Sequence, residues 1–512
     1  MIINILTIVT FGVAYILSGI SLMHFFQLNS YSAAEQIHRF DENTGKWVIY
    51  PVFFIIALVG FLFKPLAFLM PCVLLLGAYL ARPKKAKKPL VYTKRVKRML
   101  ATHAVITAAA IAAPAALFGM RAAIFAMLIL YLFSPLWAII VNFINKPIEK
   151  AVNRHFINDA KKILKSCPDL KIIGVTGSYG KTSVKYYLNT LLKAKYNVLM
   201  TPESYNTPMG VVMTIRNSLK ATHEIFICEM GAKKVGEIKE ICDIVYPHHG
   251  VITSIGPQHL ETFKSLENVK STKFELAEAL PKGGLLFLNG DDENVTGYNK
   301  NKDAITYSLK NGDYTAFDIS VSEKGTTFSV KAPNGDVGSF TTKLIGEHNV
   351  LNITGAVAIA HTMGVSMTEL KPQVRKLECV PHRLQLIDKG NALIIDDAYN
   401  SNPSGTKAAL NTLSLITGFK ILVTPGMVEL GEKQEECNFE FGSNAAKVCD
   451  YVVLVGKRQT ESIQKGLIKA GYPQEKFFVA DSIGEALTKA YAVNSGGQKR
   501  VILLENDLPD NY

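Results

Sequence analysis

The run Gly174-Val175-Thr176-Gly177-Ser178-Tyr179-Gly180-Lys181-Thr182-Ser183 has the residue types and spacing to hold the phosphates of a nucleotide. Its glycines permit a tight turn, and backbone N–H groups of the turn and of a following helix would converge on an anion. Thr176, Gly177, Ser178, Gly180, Lys181, Thr182 and Ser183 are therefore candidate nucleotide-binding residues. Lys181 would reach the terminal phosphates, and the Thr182 hydroxyl would ligate Mg²⁺. The usual phosphate-loop spacing wants its first glycine at 175, where this chain has Val175, with glycines at 174 and 177 instead. The bland alternative is a surface turn with a helix cap, which requires Gly-Lys-Thr to fall by accident between a strand and a helix.

Such a loop needs an apolar strand before it, supplied by residues 172–175, and a helix after it, supplied by 183–192. Strands and helices then alternate to about residue 300, the pattern of a parallel sheet flanked by helices. Residues 225–229 and 250–255 read as buried strands ending in polar residues, at the edge where open α/β sheets place ligands. Residues 316–343 show β alternation with Asn334-Gly335 at a hairpin turn, and 349–363 return to helix. From Pro381 a second α/β unit begins, with apolar strands at 392–395, 421–423, 451–455 and 501–504.

The first ~145 of the 512 residues differ from the rest, being dominated by apolar runs near the ~20-residue length that spans a bilayer. Five spans are expected, at 2–26, 47–63, 66–81, 99–120 and 122–144; the second and third are short and meet at Lys64-Pro65, which leaves a re-entrant hairpin open. A signal peptide would explain only the first run. Arg82, Lys84, Lys85, Lys87, Lys88, Lys94, Arg95, Lys97 and Arg98 follow the third span with no acidic residue among them, marking a cytoplasmic loop. Two more crossings then return the chain to the cytoplasm, where ATP is, and the N-terminus lies outside. Between the first two spans, Tyr31, Ile37 and Phe40 beside Arg39 suit an interfacial helix.

The net charge of +13 is concentrated in that loop and in Lys150, Arg154, Lys161, Lys162 and Lys165. Membrane lipids with anionic headgroups are the expected partner; with no zinc-finger spacing or aromatic RNA-binding motif, no nucleic-acid partner is expected. The seven cysteines are scattered and read as reduced thiols.

Six segments of this chain resemble the Mur ligase family, ATP-dependent enzymes that join amino acids or short peptides to the peptidoglycan stem. They are the phosphate loop through Lys185; Tyr205-Asn206-Thr207-Pro208-Met209-Gly210; Cys228-Glu229-Met230-Gly231; His259 through Glu261 to Lys273; Gly346-Glu347-His348-Asn349-Val350-Leu351-Asn352; and Pro381-His382-Arg383 with Asp396-Asp397-Ala398-Tyr399-Asn400-Ser401-Asn402-Pro403. Pro425-Gly426-Met427-Val428-Glu429-Leu430-Gly431 is similar to the family's C-terminal loop near the incoming amine. The set is most similar to the branch that adds D-alanyl-D-alanine to a UDP-linked muramoyl tripeptide, although Thr207 stands where that branch commonly has asparagine.

The resemblance implies ATP and Mg²⁺, with two metal ions in view. Thr182 and Glu229 would ligate one; a strand-terminal carboxylate is a suitable hard ligand. His259 would assist a second, together with Lys273 converted to a carbamate. Lys181, His259 and Lys273 are thus the candidate catalytic residues. Asn349 would contact adenine, or else cap its helix, and Arg383 and Asp397 would hold the nucleotide's phosphates and ribose.

The implied architecture is an α-helical transmembrane domain (1–147), a basic cytoplasmic linker (148–167), a P-loop central ATP-binding domain with a parallel sheet (168–380) and a Rossmann-like C-terminal domain (381–512). The implied activity is a ligase of the bacterial cytoplasmic membrane, multi-pass, with its ligase domains cytoplasmic. It would join a small amine or dipeptide donor to a cell-wall precursor acceptor. Residues 1–147 replace the family's usual UDP-sugar domain, so UDP-linked and lipid-linked acceptors both stay open. A transporter or sensor driven by ATP is the reading from another class; few ionisable residues in the spans could form a substrate pathway. The sequence does not fix an oligomeric state.

Overall fold

The computed structural model describes residues 2–29, 31–33, 36–37, 48–81, 89–203, 205–399 and 401–507. The expected interfacial helix at Arg39 and Phe40, the basic residues from Arg82 to Lys88, and Asn400 lie outside these. The chain divides into two compact units, residues 1–155 and 156–508.

The first unit is helical: α1 (Ile2–Leu28), α2 (Ile49–Leu62), α3 (Leu69–Ala81), α4 (Lys94–Phe118), α5 (Met120–Leu132) and α6 (Trp137–Lys165), the last running on beyond the unit. Among the described residues, only α1 and α4 are singly long and apolar enough to cross a membrane; the bent pair formed by α5 and the helical segment after it would make a third, so the count is two or three against the five expected. The difference lies at Lys64-Pro65. Proline interrupts the apolar run there, and a 3₁₀ turn, Lys64–Leu66, separates two helices of 14 and 13 residues. At 1.5 Å per residue each reaches about 20 Å, short of a hydrocarbon core of about 30 Å. Polar residues on one face of α4 tie it to α6. Arg98 grips Glu149 through two hydrogen bonds of 2.7 and 2.8 Å, Arg95 donates to Asn142 at 3.0 Å, and Thr102 donates to Asn145 at 3.2 Å. Residues 148–165, expected as a linker, are the continuation of α6.

The second unit is built on two sheets. The first contains β1 (Lys171–Thr176), β2 (Val198–Met200), β3 (Ile225–Glu229), β4 (His249–Ile252), β5 (Leu286–Asn289), β6 (Ile305–Ser308), β7 (Tyr314–Ser322), β8 (Gly325–Lys331) and β9 (Val337–Thr342), in the order β2-β3-β1-β4-β5-β6-β7-β8-β9. Strands β2 to β7 pair in parallel; β7, β8 and β9 pair antiparallel and extend the same sheet. The β8–β9 turn falls at Asn334-Gly335 as the sequence predicts, with Gly335 at φ +90°. The apolar runs of β1 and β3 are buried on both faces, as parallel strands covered by helices must be. On one face, α7 (Lys181–Leu192) brings Val184, Tyr187, Leu188 and Leu191 into a common core with Val350, Ile353 and Val357 of residues 347–362. On the other, α8 (Pro208–Ser218) and α9 (Glu237–Val245) pack on Phe226 and Cys228, and α10 (Leu266–Glu278) adds Leu276. The helix containing residues 347–362, α11, spans Glu347–Thr362.

The second sheet holds β10 (Gln385–Asp388), β11 (Ala392–Asp397), β12 (Phe419–Thr424), β13 (Tyr451–Val455), β14 (Phe477–Ala480) and β15 (Arg500–Glu505), in the order β10-β11-β15-β12-β13-β14, parallel except for β10. The four apolar strands expected from the sequence form its interior. The edge strands β10 and β14 escape that reading because they are short and half-exposed. Parallel topology brings the C-terminal ends of β1, β3 and β4, and separately of β11 and β15, to common edges, where ligands bind in such sheets.

Candidate functional site

The loop between β1 and α7 turns on two glycines. Gly177 has φ +148° and Gly180, which caps α7, φ +78°. A Cβ on Gly177 would collide with Thr253 Oγ1, and one on Gly180 would stand 2.7 Å from Asn352 Oδ1. Two hydroxyls of the candidate loop are engaged with neighbouring backbone. Thr176 Oγ1 donates to Met230 O at 2.9 Å, and Ser178 Oγ bonds Gly256 O and Gly256 N at 3.1 Å each. Their role here is to shape the loop. Ser183 is half-buried beside the Tyr187 hydroxyl. Lys181 Nζ curls back over the loop and donates to Gly177 O at 2.7 Å and Ser178 O at 2.9 Å. Burial pushes its ammonium down to about 8, with Glu229 opposing the shift and Arg383 adding to it.

Glu229, the last residue of β3, is the hub of the site. Its Oε1 accepts from Thr182 Oγ1 at 3.2 Å and Asn206 Nδ2 at 3.1 Å, and its Oε2 pairs with Lys185 Nζ at 2.9 Å. The Lys185 and Glu229 side chains are 0% and 1% exposed. Burial alone would raise the carboxyl, but the charges of Lys185 and Lys181 and hydrogen bonds from Lys185 and Asn206 hold it below the usual carboxylate range. Sequence reading assigned Lys185 no role. The available signal was its position one turn after Lys181, which puts both ammonium groups on the same face of α7. Asn206 fits because Gly231 has no side chain: a Cβ there would lie 2.8 Å from Asn206 Cγ. Thr207, where the resembling branch carries asparagine, caps α8 by accepting from Gly210 N at 3.3 Å.

Thr182 and Glu229 thus present two hard oxygens 3.2 Å apart, a donor pair that suits Mg²⁺, which commonly takes one or two protein oxygens and completes its shell with phosphates and water. Among the described residues no group of three or more His, Cys, Asp or Glu forms a metal cage.

His259 adopts φ +52° at the start of a short helical turn, and its Nδ1 lies 2.6 Å from Oε2 of Glu429, itself at φ +62° on the loop after β12. Burial lowers the imidazole against the pull of Glu429. Lys273 lies on the inner face of α10, 2% exposed. Burial, reinforced by the Lys181 charge, takes its amine well below the usual lysine range. Lys273 in turn lowers His259, so Lys181, Lys273 and His259 share one electrostatic neighbourhood.

Asn349 does not cap its helix, because Gly346 stands at the N-cap of α11. Its amide is also engaged internally: Oδ1 accepts from Tyr187 OH at 2.8 Å and Nδ2 donates to Ile345 O at 2.9 Å, which ties α11 to α7. The preceding His348 lines a cleft of about 420 Å³ with Leu309, Ile319 and Leu351, and burial lowers its imidazole to about 4.

Arg383 packs its guanidinium 4.6 Å from the centroid of the Tyr399 ring, and its charge reaches both Lys181 and Asp397. Asp397 Oδ1 accepts from Leu384 N at 3.1 Å. In the β11–β15 register Asp397 faces Glu505, which accepts from Ser401 Oγ at 2.8 Å. Burial raises Asp397 to about 6 and Glu505 well above its ordinary value, and the facing pair is placed to share a proton.

A raised acid binds more protons in the folded state, so its contribution to stability falls as pH climbs from the unfolded value, about 4.3 for glutamate, to the folded one. The limiting slope is about 1.4 kcal/mol per pH unit. Glu505→Gln keeps a donor for Asp397 without a titrating proton, and is expected to flatten the fall in thermal stability as pH climbs above the ordinary glutamate range. An unchanged slope would reject the shared proton.

Residues 175–360 match the model of the Mur ligase middle domain, and residues 382–504 that of the Mur ligase glutamate ligase domain. The UDP-N-acetylmuramoyl-tripeptide–D-alanyl-D-alanine ligase of Escherichia coli (strain K12) is 33% identical over 296 residues, covering 56% of this chain and 65% of that protein. Its counterpart from Bacillus subtilis (strain 168) is 32% identical over 276 residues, covering 53% and 60%. The chain therefore spans less than two thirds of the length of these relatives. Among solved structures, MurF from Acinetobacter baumannii aligns with TM-score 0.64 and 26% identity over 69% of this chain and 77% of that one. MurF ligase from Thermotoga maritima in complex with ADP aligns with TM-score 0.60 and 27% identity over 69% and 80%.

Proposed function

From a chain that carries the middle and glutamate ligase domains of the Mur ligase family, we infer an ATP-dependent amide-bond ligase of peptidoglycan precursor synthesis. It joins D-alanyl-D-alanine or a related amine to a UDP-linked muramoyl peptide. The observation that carries this reading is the convergence of Lys181, Thr182 and Glu229 at the strand ends, with the buried amine of Lys273 beside them.

In this reading the acceptor carboxylate attacks the γ-phosphorus of ATP, and ADP leaves. The incoming amine then adds to the acyl phosphate, loses a proton and expels inorganic phosphate. Lys181 exchanges its hydrogen bonds to Gly177 and Ser178 for phosphate oxygens and neutralises charge where it develops. Thr182 and Glu229 would hold one Mg²⁺, and His259 with a carbamate on Lys273 would hold a second. The metal ions supply charge neutralisation on the phosphates. Burial lowers the Lys273 amine, which favours the neutral form whose lone pair adds CO₂ and releases a proton. Arg383 and Asp397 bring the second sheet's contribution to the nucleotide, and the side chains around His348 form a cleft into which an adenine ring fits.

The ligase is proposed to be anchored in the bacterial cytoplasmic membrane by its first unit. With three spans in place of the five read from the sequence, the proposed topology is unchanged, because removing the short hairpin of α2 and α3 removes two crossings. With the basic loop inside, α4 leaves the cytoplasm and α5 with α6 returns to it, while the N-terminus stays outside. An anchored ligase also suits a lipid-linked acceptor, the second reading.

The purified full chain is expected to release phosphate from ATP only when muramoyl peptide and amine are both supplied. It should lose turnover on bicarbonate depletion and regain it when bicarbonate is restored. Steady ATP hydrolysis without acceptor would sink the ligase reading. Accumulation of a truncated lipid-linked precursor after depletion of the protein would favour the second acceptor.

A further inference from the structure

Glu429 sits on a loop built to present it. Gly426 turns at φ +84°. The buried Asn438 side chain accepts from Met427 N at 2.8 Å and donates to Met427 O at 2.9 Å, and Asn506 donates to Gly426 O at 2.6 Å. The carboxylate so fixed reaches His259 Nδ1 at 2.6 Å and Lys233 Nζ at 3.7 Å, both on the segments that follow the first sheet's strands. Non-glycine residues at positive φ stand on both sides of the contact, His259 and Glu429 alike. Such backbone is retained where surrounding structure enforces it, and it clusters at functional sites.

An ionised carboxylate only accepts, so Nδ1 carries the hydrogen and Nε2 keeps its lone pair. That is the tautomer a metal-ligating histidine needs, and a carboxylate behind the imidazole is the usual way to fix it. We propose that Glu429 is the positioning residue that makes His259 a metal ligand, so that the second metal position is complete only when the loop after β12 is seated against the first sheet. The inference rests on the ligase reading for the existence of that metal position. Seating of the loop that lies near the incoming amine would then be felt at the metal before phosphoryl transfer, linking occupancy by the amine to competence at the phosphate.

Mn²⁺ titration of the purified full chain, followed by electron paramagnetic resonance with a non-hydrolysable ATP analogue present, tests this. The wild-type chain is expected to bind two Mn²⁺ ions. Glu429→Ala should weaken one of them by about 10–100-fold and leave the other unchanged. Glu429→Gln, which still accepts the Nδ1 hydrogen, should weaken it by less. His259→Ala should weaken the same ion, with Glu429→Ala adding nothing further in the double variant. Mn²⁺ binding unchanged in Glu429→Ala, with or without a fall in thermal stability, would overturn the inference and leave the ligase reading intact. A wild-type chain that binds one Mn²⁺ would overturn both.

Discussion

Lys181→Ala is expected to cut ATP-dependent product formation by about 10²–10³-fold or more, while the unliganded protein unfolds at nearly its wild-type temperature. The two halves of that expectation have one cause. Lys181 is held over the loop by two backbone carbonyls, and burial has pushed its ammonium down to about 8. The fold therefore accepts the cation at a penalty rather than relying on it. Removing the charge relieves that penalty and partly offsets the two lost hydrogen bonds. The phosphates of ATP are what the cation awaits, so the loss falls on turnover and on the thermal stabilisation that nucleotide confers. Lys181→Arg is not expected to rescue, because a planar guanidinium cannot occupy a pocket shaped for a compact ammonium. Product formation at the wild-type rate in Lys181→Ala would mean the phosphates bind elsewhere.

The legible parts of this molecule were those whose signal is local. Gly177 and Gly180 are required by positive φ and by close approach of Thr253 and Asn352, and such requirements are written in a few adjacent residues. Glu229 was visible as a carboxylate ending an apolar strand. Lys185 was not, because a lysine ordinarily reads as solvated, and its full burial becomes tolerable only with Glu229 of β3 and the Glu203 carbonyl as partners. The His259–Glu429 contact joins residues 170 apart, beyond the reach of any periodicity. The hydrogen bonds by which the side chains of Thr176, Ser178 and Asn349 shape the loop and dock α11 were likewise invisible, because their partners are set by the tertiary fold. The span count failed for a related reason. Hydropathy marks residues 47–81 as apolar, but a proline in mid-run decides that neither helix is long enough to cross.

Lys185→Met is expected to destabilise the protein by about 3–5 kcal/mol, the range for removing one partner of a buried ion pair. The Glu229 carboxylate would be left 1% exposed with Thr182 and Asn206 as hydrogen-bond donors but no adjacent cation. Its pKa would climb because burial, already the largest influence on it, would be opposed only by the more distant Lys181 and by Asn206. The variant should therefore be most damaged at neutral and alkaline pH and recover as the carboxyl protonates, the reverse of the ordinary acid loss seen when a native carboxylate is stabilised by its partner. Turnover should fall further than stability alone explains, because a protonated Glu229 no longer offers Mg²⁺ an anionic oxygen.

A second substitution separates the two effects. Lys185→Met combined with Glu229→Leu removes both charges and replaces them with apolar volume, a change that is often neutral or stabilising for buried pairs. Thermal stability is expected to return toward wild type in the double variant while ligase activity stays lost. If Lys185→Met alone leaves stability unchanged from pH 6 to 9, the buried pair is not what holds β3 to α7. If the double variant regains activity, Glu229 is not the carboxylate that the reaction uses.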